Sequence, residues 1–153
     1  MGDSRWKSRV VPPICERMLG FSVPQDGVIL IISFDEIYLL HLGDEITVEL
    51  DDEFAGYDVF NHKTGIASYH GQSYRIIGLH GGHPILDSPQ GERLILNIRS
   101  QRLTVEKDGE VLFSENYKNF SGDWAAATFS PVGRYIVLGC PYDFDFRIYE
   151  RVI

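Results

Sequence analysis

Two histidines three positions apart, His80 and His83, flank Gly81-Gly82 just before Pro84, with His62, His70 and Asp87 close by in the chain. Imidazole nitrogens and a carboxylate oxygen are the donors a borderline divalent metal takes, and glycine between the rings would let them converge. Paired histidines on a helix are held at i and i+4, however, and here the spacing is three within a loop. The same run therefore also reads as a glycine-rich, flexible corner carrying exposed imidazoles. His80, His83 and Asp87 are the ligand set if the corner holds a metal; otherwise the chain calls for no cofactor.

A nucleophile is harder to find. Cys15 and Cys140 lie beside apolar segments, where a thiol packs as a small hydrophobe. Their spacing suits neither a metal pair nor a disulfide scaffold. Asp143 and Asp145 fall on one face of a strand, but a glycosidase pair is set about 5–10 Å apart on separate elements. They read instead as polar residues opposite Phe144 and Phe146. Asp51-Asp52-Glu53 lacks the regular ligand spacing of a calcium loop, and no glycine run closes on Lys-Ser or Lys-Thr to cradle phosphate. No catalytic residue is assigned, and the chain is expected not to be an enzyme.

The elements that must position these groups follow from alternation and turn chemistry. Val28 to Phe34 is a short β-branched run behind Asp26-Gly27, which favours a strand covered on both faces. Ile46, Val48 and Leu50 alternate with polar residues, as do Leu103 and Val105 before the hairpin signal Asp108-Gly109. Tyr135 to Cys140 follows the turn Ser130-Pro131-Val132-Gly133, and Phe144, Phe146 and Ile148 alternate after it. No stretch of ten or more residues has helical periodicity. The fold class is all-β, in antiparallel β-meander units that form a propeller-like or compact multi-sheet arrangement. Residues 1–16 read as an N-terminal tail and edge segment, and 17–153 as one domain with units near 17–53, 54–80, 81–120 and 121–153.

Phe129-Ser130-Pro131-Val132-Gly133 leading into Tyr135 to Gly139, then Phe146 to Tyr149, resembles the inner part of a WD-repeat or related β-propeller blade. Phe21 to Gly27 with Val28 to Phe34 is similar, and Leu86 to Gly91 with Leu94 to Ile98 is a weaker copy. Gly91 and Gly133 stand 42 positions apart, close to one blade length of roughly 40–45 residues. Val132 occupies the place of the family's turn aspartate, and Asp123-Trp124 reverses its Trp-Asp pair. The resemblance implies blade-like sheets and assigns no activity.

Composition narrows the function classes. At 153 residues, 44% hydrophobic and 24% charged, the chain is an ordinary globular domain. A net charge of −8 repels nucleic acid and anionic membrane, and no run approaches the roughly 20 apolar residues of a membrane span. A cytoplasmic location is expected. Aromatic residues in turns, namely Tyr57, Tyr69, Tyr117, Phe120 and Tyr142, are of the type that protein interfaces favour. The leading expectation is a non-catalytic protein-interaction module with an unidentified protein partner. Its contact surface would comprise Phe120, Asp123, Trp124, Tyr142, Asp143 and Asp145. Self-association into a homo-oligomer would satisfy open sheet edges. The alternatives are a small metal-binding or hydrolytic protein centred on His80 and His83, and an acidic immunity-type inhibitor of a basic toxin.

Overall fold

Alternation of apolar side chains is converted into three stacked cores. The computed structural model describes residues 5–14, 17–118, 124–141 and 146–152. Its strands are β1 (Trp6–Arg9), β2 (Met18–Ser22), β3 (Val28–Ser33), β4 (Ile37–His41), β5 (Thr47–Asp51), β6 (Phe60–Asn61), β7 (Ile66–Tyr69) and β8 (Gln72–Gly78). The second half adds β9 (Arg93–Asn97), β10 (Arg102–Lys107), β11 (Glu110–Asn116), β12 (Ala126–Phe129), β13 (Tyr135–Gly139) and β14 (Arg147–Arg151). One helical turn, α1 (Gly56–Val59), lies between β5 and β6. The protein is all-β, as its alternation predicts. No helix among the described residues is long and apolar enough to cross a membrane.

All pairings are antiparallel, in sheets ordered β5-β4-β3-β2-β8-β7-β6, β1-β14-β13-β12 and β11-β10-β9. The seven-stranded sheet curls into a half-barrel. Its third strand, β3, is buried on both faces: Ile29 and Ile31 join one core while Leu30 and Ile32 join another inside the curl. Strand β13 does the same one layer on. Tyr135 and Val137 pack toward the curled sheet, and Ile136 and Leu138 pack toward the three-stranded sheet. Each fully buried Ile or Leu contributes about 1.5–3 kcal/mol relative to exposure. Strands with two buried faces therefore anchor the stack.

The turns obey their residues. Asp26 and Gly27 (φ 52° and 76°) and Asp108 and Gly109 (φ 53° and 81°) take the paired left-handed conformations of a two-residue hairpin turn. Ser130 to Gly133 closes with the Gly133 N–H donating to the Ser130 carbonyl at 2.9 Å.

Strand β1, from the segment expected as tail and edge, is the outer strand of the middle sheet and pairs with β14 at the other end of the chain. Trp6 is 5% exposed, between Phe113 and Phe129, beneath the Arg151 guanidinium 4.4 Å from its ring centroid. Arg9 and Arg134 both bind Glu150. Strands β1 and β14 are thus fastened by packing and charge together.

Candidate functional site

The histidine corner is built from glycines. Gly78 and Gly81 exchange two main-chain hydrogen bonds of 2.9 Å, so Leu79 and His80 form the tip of a two-residue turn. The Leu79 N–H donates to the Leu19 carbonyl on β2 at 3.0 Å. A Cβ at Gly82 would lie 2.4 Å from the Ile76 carbonyl oxygen, so the corner sits hard against β8. The corner is therefore pinned, although its glycines suggest flexibility in the sequence.

His80 faces α1 and β6. Its Nε2 is 2.8 Å from the Tyr57 hydroxyl, and its ring centroid is 5.1 Å from that of His62 with the planes 35° apart. Phe60 and Tyr57 each stand 5.9 Å from the same ring. His83 is engaged through its carbonyl, which accepts from Arg75, and Asp87 pairs with Arg93 at 3.1 Å. Among the described residues no three His, Cys, Asp or Glu side chains are placed to hold one metal ion.

The corner is also one wall of a groove of about 550 Å³ bordered by β9 and β12, with Ile77 and Gly78 in its lining. Both strands are sheet edges. The segment Ile85-Leu86 enters between them: its two carbonyls accept from the Phe129 and Leu94 N–H groups, each at 2.8 Å. The Ile85 N–H donates to the Thr128 hydroxyl at 2.9 Å. Main-chain groups alternate sides along a strand. The Phe129 and Leu94 N–H groups point out from the edges of their sheets, so by this alternation those of Ala127 and Leu96 do too, with Ala125 next in line before β12. Outside the strand ladders, none of the three has a main-chain partner among the described residues. The side chains around them are mainly apolar and small, with the exposed Asp87–Arg93 pair at the rim. Hydrogen bonding to Asp87 raises the Arg93 pKa further above its ordinary value. An exposed pair of this kind contributes little to stability.

Of the contact residues read from the sequence, Phe120, Asp123, Tyr142, Asp143 and Asp145 lie outside the described residues. Trp124 is half-buried, its ring 6.5 Å from Phe21 and its outer edge 3.3 Å from where a Cβ on Gly78 would be. It packs as the back wall of the core next to the groove. Tyr69 and Tyr117, read as turn aromatics for a partner, are 6% and 2% exposed. Tyr69 is spoken for, because its hydroxyl donates to Asp51. Burial, reinforced by that bond, pushes the Tyr69 phenol well above its usual range. Cys140 is buried in the core between the middle and three-stranded sheets, and Cys15 lies outside the described residues.

Sequence reasoning missed the groove because edges are a property of topology. The signal present was Pro84, which ends donation to a ladder just before Ile85, and the small run Ala125-Ala126-Ala127. No protein-family model, curated protein or solved structure matches this chain.

Proposed function

We propose that the protein is a non-catalytic interaction module that takes an extended segment of a partner protein into the groove between β9 and β12. The observation that carries this reading is that β9 and β12 each end their sheet and border one mainly apolar groove, with Leu96, Ala125 and Ala127 in its lining. Such edges are completed by strand addition, in which main-chain hydrogen bonds supply affinity and shallow pockets select alternate side chains. The chain's own Ile85-Leu86 already binds both edges in this manner for two residues. Small walls at Ala125 to Ala127 suit a segment with apolar side chains, and the net charge of −8 speeds the approach of a basic partner.

The blade-like reading of the sheets belongs to the same proposal. It is supported by the β12 to β14 meander with its Ser130–Gly133 turn, and by an outer strand drawn from the other end of the chain. In that arrangement β9 and β12 are the inner strands of neighbouring blades, and the groove is the space they border.

Selection of extended peptides from a displayed random library tests the reading. Selected peptides are expected to slow amide exchange at Leu96, Ala125 and Ala127. Leu86→Lys, at the exposed rim, is expected to weaken them about tenfold, the loss of one apolar contact of about 1.4 kcal/mol. Peptides that protect another surface, or bind equally well to the Leu86→Lys protein, would remove the groove from the account.

A further inference from the structure

The sequence pairs His80 with His83, but the fold pairs it with His62, and that pairing has the dimensions of a metal site. We propose that His62 and His80 together bind one borderline divalent transition-metal ion of the Zn²⁺ or Ni²⁺ type, with Tyr57 as the positioning residue.

Three observations converge. The first is separation. A metal lies about 2.0–2.1 Å from each imidazole nitrogen, and a ring nitrogen lies about 1.1 Å from its ring centre. Two rings sharing one tetrahedral ion therefore have centres about 5 Å apart. The observed centroid distance is 5.1 Å.

The second is tautomer control. Metal-bound histidines use one ring nitrogen on the metal and donate the other N–H to a fixed acceptor, which orients the ring and raises its basicity. His80 Nε2 has such a neighbour in the Tyr57 hydroxyl at 2.8 Å. When Nε2–H donates to that oxygen, the lone pair resides on Nδ1 and is available to the ion.

The third is support. Tyr57 is held on α1, whose turn is closed by the Asp58 carboxylate accepting from the Ala55 N–H at 2.8 Å, and Tyr57 packs edge-on against Phe34. His62 follows β6, whose Phe60 packs on the His80 ring. His80 itself is fixed by the reciprocal Gly78–Gly81 bonds. Both ligands are exposed, so the ion reaches them directly, and water completes its coordination. His83 and Asp87 take no part.

Isothermal titration of the full-length protein with ZnCl₂ or NiCl₂, in a non-chelating buffer, tests this. The proposal expects one saturable site, weakened at least about tenfold by His62→Ala and by His80→Ala, since even the loss of an orienting partner costs 10–100-fold. Tyr57→Phe is expected to weaken binding, and His83→Ala to leave it unchanged. Long-range ¹H–¹⁵N spectra are expected to show the metal shifting one ring nitrogen on each of His62 and His80. These side chains lie at the surface, so the thermal midpoints of the variants stay close to that of the parent. Absence of saturable binding, loss of binding in His83→Ala, or full retention in His62→Ala would each overturn the proposal.

Discussion

Glu92 is 2% exposed and accepts two bonds from the Arg151 guanidinium and one of 2.9 Å from the Ser88 hydroxyl. Burial alone pushes this carboxyl up; the bonds from Arg151 and Ser88 and the Arg151 charge more than offset it, so its pKa lies below the ordinary glutamate value. A group with a depressed folded pKa contributes stability that is present above its unfolded pKa, about 4.3. That stability is lost as pH falls through the folded value. Urea unfolding from pH 7 to pH 3 should show a declining acid limb that Glu92→Gln flattens. At pH 7 the same variant, by leaving Arg151 in place without its counter-charge, should cost about 3–5 kcal/mol. An unchanged acid limb would mean that the pair contributes nothing selective to the folded state. Residue identity alone does not disclose this pair, because Glu92 and Arg151 lie 59 positions apart.

The same divide between local and distant information runs through the elements. The Asp26-Gly27 and Asp108-Gly109 turns and the double-faced run at β3 are legible in the sequence, because each depends on a few adjacent residues. The joining of β2 to β8 is not. It depends on Gly20 lying opposite Gly78, where a Cβ on Gly20 would come 2.6 Å from the Ile77 carbonyl oxygen. Gly20→Ala should therefore push the two halves of the seven-stranded sheet apart and destabilise by about 1–3 kcal/mol, measured by chemical denaturation. A neutral result would show that the close approach is dispensable. His62 beside His80 is a second case. Pairing of β6 with β7 and the turn at Gly78–Gly81 bring the two rings together across 18 positions, whereas sequence proximity favours His83. Burial of Tyr69 and Tyr117 is a third, since turn position does not reveal a core lying beneath the turn.

At the scale of the molecule, three sheets share cores in series, and the chain closes on itself where β1 meets β14. Trp6 carries that closure into the core between the middle and three-stranded sheets. Trp6→Ala should cost about 3–5 kcal/mol, and it should act mainly on unfolding, if a contact spanning nearly the whole chain forms after the folding transition state. Stopped-flow kinetics would show this as faster unfolding at nearly constant refolding rate. Slower refolding with unchanged unfolding would place the closure early instead.

The groove's incomplete edges carry the functional account, and amide hydrogen exchange of the protein alone reads them directly. Phe129 and Leu94, bonded to the Ile85 and Leu86 carbonyls, should exchange slowly. Leu96, Ala125 and Ala127, on the same edges, should exchange orders of magnitude faster. Equal, strong protection at all five amides would mean that the edges are already filled, and the groove would have no strand to receive.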